Sequence, residues 1–137
     1  MTIRTSSEEE TIQAGARLAG ELRGIVLLKG DLGAGKTTLV RGIVAGIPGA
    51  QADEVSSPTF TLIHDYGAGV FHIDLYRLDT ERQVESLGLD DIFDQAHLVL
   101  VEWGEKLGYL IPPKRTEITI EPEADSRRLI HISRFGE

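Results

Sequence analysis

Four consecutive aliphatic residues, Ile25, Val26, Leu27 and Leu28, stand between two stretches whose apolar positions recur at helical spacing. A run without polar alternation reads as a strand buried on both faces, as in the middle of a parallel sheet. Upstream, Ile12, Ala16, Ala19 and Leu22 keep the helical period, and Ser6 and Ser7 precede Glu8, Glu9 and Glu10 in two overlapping capping-box registers. This predicts a helix over residues 7–22, broken at Gly24. Downstream, Leu39, Val40, Ile43 and Val44 make a second helical stripe that ends around Gly46 and Pro48.

The rest of the chain changes period. Residues 49–58 are polar without periodicity and read as a mobile loop closed by Pro58. Residues 59–66 and 70–76 are β-branched and aromatic, split by Gly67-Ala68-Gly69, which predicts an antiparallel hairpin. Strand alternation puts Phe71, Ile73 and Leu75 on one face and His72, Asp74 and Tyr76 on the other. Asp79, Thr80 and Glu81 open a helical segment containing Val84 and Leu87 and ending near Gly88; Asp90 and Asp91 start another short turn. His97-Leu98-Val99-Leu100-Val101-Glu102-Trp103 then reads as an aliphatic strand closed by an acid, and Pro112-Pro113 marks a break. Residues 116–120 and 129–132 form two closing strands around the acidic turn at 121–125. There is no repeat and no low-complexity tract.

With 137 residues, the expectation is one domain over 1–137 without room for a separate substrate domain. The 22 acidic against 14 basic side chains give a net charge of −8, a field that repels nucleic acid and anionic lipid. Strong direct binding of RNA or DNA is therefore not expected. Cysteine is absent, which excludes disulfides and thiolate metal sites and fits a reducing compartment. The opening Met1-Thr2-Ile3-Arg4-Thr5 lacks a signal-peptide core and no apolar run approaches membrane-spanning length, so a soluble, cytoplasmic protein is expected.

The chemistry begins directly after the first aliphatic strand. Gly30-Asp31-Leu32-Gly33-Ala34-Gly35-Lys36-Thr37-Thr38 fits the phosphate-loop pattern G-x-x-x-x-G-K-[ST], with a strand before it and a helix after. Glycines let the backbone curl so that its N–H groups point at phosphate oxygens, and the following helix adds the positive end of its dipole. Lys36 is placed to reach the β- and γ-phosphates, and the Thr37 hydroxyl to ligate magnesium. The pattern predicts a nucleoside triphosphate as ligand.

Hydrolysis or transfer needs an acid near that metal as well. Glu102 closes a buried strand, and ligands of open α/β sheets sit beyond the carboxyl ends of strands. Its expected role is metal support, directly or through water; a solvated strand-end acid is the plain alternative. Asp74 is the other candidate, since a carboxylate within a half-apolar strand is costly to bury without a metal, cation or hydrogen bonds. Either acid could hold the metal. His72 shares Asp74's face and could position water with it, although a hydrogen-bonded semi-buried histidine is the commoner case. Arg77 could stabilise charge on the γ-phosphate or form a surface ion pair, and Thr59 could sense the γ-phosphate or satisfy a turn. His64, His131 and the run Glu8 to Glu10 show no metal spacing, and the run reads as helix capping.

The ordered set of the phosphate loop, Arg41-Gly42, Val55-Ser56-Ser57-Pro58-Thr59-Phe60, His72-Ile73-Asp74-Leu75-Tyr76-Arg77 and Val101-Glu102-Trp103 resembles the TsaE (YjeE-type) family of small bacterial ATPases over nearly the whole chain. The resemblance implies an α/β P-loop NTPase fold: a central, mostly parallel sheet with an antiparallel hairpin and antiparallel edge strands, flanked by helices. It also implies an ATP- and magnesium-dependent ATPase that acts with TsaB and TsaD in making tRNA threonylcarbamoyladenosine, with tRNA held through the complex. By motif, Asp31, Leu32, Gly33, Ala34, Gly35, Lys36, Thr37 and Thr38 bind the nucleotide, Thr37 and Glu102 support the metal, Asp74 lies in the catalytic switch region, and Lys36, Asp74 and Glu102 are the catalytic residues. Thr11 and Arg128 resemble the family's contacts to the adenosine end. Gly104 departs from the family's usual proline after Glu-Trp, implying a looser loop on the metal side.

Two other functions share the phosphate loop. A small-molecule kinase would use Asp74 as base but would normally need an arginine-bearing lid and an acceptor pocket. A GTP-switched binding module would need the N-K-x-D guanine reader, and the chain contains no asparagine. Turnover is expected to be slow in isolation, because no water-activating base is paired with an arginine finger.

Overall fold

The structure is a computed structural model that describes residues 1–31, 35–51 and 63–136. Its elements in chain order are β1 (Thr2–Thr5), α1 (Glu8–Ala19), β2 (Gly24–Lys29), α2 (Lys36–Ala45), β3 (Ile63–Asp65), β4 (Val70–Asp74), α3 (Glu81–Glu85), α4 (Leu89–Gln95), β5 (Leu98–Glu102), a 3-10 segment (Gly104–Leu110), β6 (Arg115–Pro122) and β7 (Arg128–Phe135). The described strands form one sheet in the order β1-β7-β6-β2-β5-β4-β3. Its middle is parallel (β6-β2, β2-β5, β5-β4) and its flanks are antiparallel (β1-β7, β7-β6, β3-β4). This is the expected α/β architecture.

The aliphatic run does lie at the centre. Alternation sends Val26 and Leu28 to one face with α1 and α2, and Ile25 and Leu27 to the other with Ile73, Leu75, Val84 and Leu107. The two helices behind the first face meet with almost no spacer. A Cβ added to Gly15 would lie 2.7 Å from the Leu39 carbonyl oxygen, and one added to Gly42 would lie 2.2 Å from that of Ile12. Backbone therefore packs on backbone, which fixes the axis of α2, the helix that begins at the phosphate loop.

Several boundaries differ from the sequence pattern for local reasons. Ser7 caps α1 by accepting the Glu10 N–H, so the helix proper starts at Glu8, and it closes at Ala19. β4 stops at Asp74, before the expected 76, because Asp74 Oδ1 accepts the Tyr76 N–H and turns the chain. Thr80 and Gln83 cap α3 reciprocally. The edge strand β1 was not anticipated and takes its order from pairing with β7. Most of the expected 49–58 loop, from residue 52 on, and the first part of the expected hairpin strand, residues 59–62, lie outside the described residues. Among the described residues no helix is long and apolar enough to cross a membrane.

Candidate functional site

Register aligns the carboxyl ends of three of the four parallel strands, β2, β5 and β4, at the end of the sheet where the phosphate loop starts. Leu28 of β2 pairs with Glu102 of β5, and Glu102 pairs with Asp74 of β4, so loop and both acids share one end of the sheet. Gly35 sits just before α2 with φ of 104°, a left-handed conformation that favours glycine. Lys36 follows at the first helical position and reaches Glu102, with Nζ 3.4 Å from Oε1. Thr37 and Thr38 continue that first turn, half-buried, while Asp31 is exposed. Leu32, Gly33 and Ala34 lie outside the described residues, as does Thr59.

Glu102 is not a solvated strand-end acid. It is 6% exposed, and its second oxygen, Oε2, accepts from His72 Nε2 at 2.6 Å. Burial alone would push its carboxyl up, but hydrogen bonds and charge from His72 and Lys36 outweigh this and hold it below the usual range. The acid is therefore kept ionised in a nearly water-free setting. Asp74 shows the opposite balance: burial raises it first, Glu102 adds to the rise, and the Tyr76 N–H, His72 and Lys36 offset only part. His72 bonds to Glu102 on the neighbouring strand instead of sharing a hydrogen bond with Asp74 on its own. It is fully buried, and its Nδ1 lies 3.0 Å from the buried Tyr66 hydroxyl, a contact the sequence pattern did not suggest.

Of the two residues expected at the adenosine end, Arg128 lies beside the phosphate loop. A Cβ on Gly35 would stand 3.2 Å from Arg128 Nε and 3.3 Å from Ile120 Cδ1, so the Arg128 side chain lies along the start of α2. Arg128 pairs in register with Thr5 of β1, whose hydroxyl lies 2.7 Å from that of Thr11. The Thr11 hydroxyl also donates to the Ser7 carbonyl, and both threonines are buried. Thr11 thus touches β1 at the residue whose register partner in β7 is Arg128.

An exposed aromatic pair borders the opposite side. Tyr76 and Trp103 have ring centroids 5.1 Å apart, and Lys36 Nζ lies 5.9 Å from the Trp103 ring centroid. Trp103 has φ of 61°, a left-handed backbone that is uncommon for a bulky residue and costs conformational energy. Lys106 donates to the Tyr76 and Leu78 carbonyls and ties this turn to the 3-10 segment. Gly104 in the loop after Glu102 is buried, and its added Cβ would meet Leu27 Cδ2 at 2.8 Å. Arg77 is exposed.

The donor set fits magnesium. Hydroxyl and carboxylate oxygens suit a hard cation, which takes one or two protein oxygens and completes its shell with phosphates and water. Groups of three histidine, aspartate or glutamate side chains placed to hold a metal ion do not occur among the described residues.

The family model "Threonylcarbamoyl adenosine biosynthesis protein TsaE" matches residues 5–130. The tRNA threonylcarbamoyladenosine biosynthesis protein TsaE of Bacillus subtilis is 38% identical over 139 residues, spanning 97% of this chain and 85% of that protein. The protein of the same name from Haemophilus influenzae is 42% identical over 108 residues, spanning 77% of this chain and 67% of that one. Among solved structures, Bacillus subtilis YdiB is similar with a TM-score of 0.78 and 30% identity, covering 99% of this chain and 86% of its own. On the strength of a match running from β1 into β7, over the phosphate loop and both acids, this chain belongs to the TsaE family.

Proposed function

We propose that this chain is the magnesium-dependent ATPase of tRNA threonylcarbamoyladenosine biosynthesis, acting in the cytoplasm with TsaB and TsaD, with tRNA held through that complex. The observation that carries the reading is the 3.4 Å contact between Lys36 of the phosphate loop and the buried, ionised Glu102. It joins the phosphate-binding and metal-supporting parts into one site. The family's names supply the pathway, and the chain's acidic balance supports a division of labour in which partners hold the tRNA.

In this reading the loop amides of residues 30–35 and the Lys36 ammonium bind the β- and γ-phosphates, and Arg128 and Thr11 serve the adenosine end. Thr37 and Glu102 would hold magnesium, which when bound neutralises charge on the phosphate oxygens. Asp74, fixed by the Tyr76 N–H, orients the attacking water. Water adds to the γ-phosphorus, the bond to the β–γ bridging oxygen breaks, and ADP, inorganic phosphate and a proton leave. Turnover is slow alone and rises with the partners, which complete the site.

Lys36→Ala and Glu102→Ala test this by calorimetric ATP binding with magnesium and by phosphate release with TsaB and TsaD added. Both should lose at least about tenfold, the size of a lost charge-assisted contact. Unchanged affinity and turnover in both variants would overturn the assignment, as would fast hydrolysis by the lone chain that partners leave untouched.

A further inference from the structure

Glu102 is gripped from behind by two buried side chains that take no direct part in the phosphate or metal chemistry above. Tyr66 follows β3, His72 sits in the middle of β4 and Glu102 ends β5, so three segments contribute to one row of hydrogen bonds. A carboxylate only accepts, hence His72 Nε2 carries the hydrogen toward Oε2. The other ring nitrogen, Nδ1, lies 3.0 Å from the Tyr66 hydroxyl. His64 closes the outer side, with ring centroids 6.0 Å from Tyr66 and 6.4 Å from His72; its Nε2 is buried without a hydrogen-bond partner, so it packs here without joining the row.

We propose that His72, locked in place by Tyr66, is a positioning residue that sets the plane of the Glu102 carboxylate, a role that rests on the ATPase reading above. With Oε2 tied to His72, Oε1 alone faces Lys36 and would be the oxygen left to support a cation. A carboxylate free to rotate would turn both oxygens toward the Lys36 ammonium and compete with phosphate for it. Orientation of an acid by an outer partner of this kind is worth on the order of 10- to 100-fold in metal affinity or activity. If His72 only neutralised a buried acid, its loss would weaken nucleotide binding equally with and without magnesium.

The experiment measures ATP affinity of the full chain by titration calorimetry, in magnesium and in EDTA, for wild type, His72→Leu, His72→Gln and Tyr66→Phe. His72→Leu should keep its EDTA affinity but lose roughly 10- to 100-fold of the gain that magnesium brings. His72→Gln, whose amide N–H can still donate to Oε2, should recover most of it, and Tyr66→Phe should lose about threefold, in line with one net hydrogen bond. Equal losses in magnesium and EDTA, no loss in either, or glutamine performing no better than leucine would overturn the proposal. A wild-type chain that gains nothing from magnesium would instead strike the ATPase reading itself. Should His72→Leu fail to fold, ring nitrogen NMR decides: Nε2 of wild-type His72 must carry a hydrogen, pointed at Glu102 Oε2. A wild-type ring carrying it on Nδ1 alone refutes the arrangement.

Discussion

Replacing Gly42 by alanine pits local preference against packing. Within a helix, alanine is favoured over glycine by about 0.5–1 kcal/mol, so on propensity alone Gly42→Ala would stabilise the protein. The new Cβ, however, would lie 2.2 Å from the Ile12 carbonyl oxygen and 2.9 Å from its carbonyl carbon and Cα, where 3.4 Å is ordinary contact. Relief requires α1 and α2 to part by roughly 1 Å, and the obstacle is backbone that no rotamer change can move. Overpacking of this kind costs about 1–3 kcal/mol, and the upper end applies here, leaving a net loss of about 2 kcal/mol after the propensity gain. For a domain of this size that lowers the melting temperature by about 7 °C. Gly20→Ala is the control: its φ is −69° and its new Cβ would meet nothing closer than 4.0 Å. It should be neutral or stabilise by up to about 1 kcal/mol through the unfolded chain. Thermal and urea melts followed by circular dichroism measure both. A Gly42→Ala variant that melts at or above wild type would refute the backbone-on-backbone contact, and with it the account of what aims α2 at the nucleotide.

Gly35→Ala forces a side chain into φ of 104° and against Arg128, so ATP affinity should drop by tenfold or more, about 1.4 kcal/mol, while calorimetry showing wild-type affinity would remove Gly35 from the cradle. Glu117 concerns acid stability: burial raises its carboxyl, but hydrogen bonds and charge from Lys29 and Arg115 lower it more, so its folded value lies below its unfolded one. Its stabilising contribution is therefore complete above the ordinary glutamate range and is lost as pH falls through the folded value. Glu117→Gln should melt lower than wild type at neutral pH and converge with it at acid pH; a constant gap between the two curves would contradict this.

The sequence carried the centre of the molecule because its signals there are local. An unbroken aliphatic run, a phosphate-loop pattern and a helical stripe in immediate succession fix β2, the cradle and α2, and register then delivers Glu102 beside Leu28. What remained hidden depends on neighbours distant in sequence. β1 is a polar four-residue edge strand that gains its order only from β7. His72 and Asp74 share a face by strand alternation, which invited pairing them, yet lateral contact with β5 gives His72 to Glu102. Nothing local to Tyr66 distinguishes a hairpin-edge tyrosine from one buried against a histidine. The space beside Gly104 is taken by Leu27, a neighbour distant in sequence. Thr11 and Arg128 are distant along the chain, and the link through Thr5 that joins them exists only once β1 and β7 pair.

The most direct test of the central claim, one site shared by Lys36, Thr37 and Glu102, is a crystal structure of the chain with magnesium and a non-hydrolysable ATP analogue. The account predicts the triphosphate in the loop of residues 30–37 with Lys36 Nζ on its β- and γ-oxygens. It also predicts the cation on the Thr37 hydroxyl, with Glu102 Oε1 reaching it directly or through one water. Phosphates bound elsewhere, or a cation held with Glu102 turned away from it, would contradict the account.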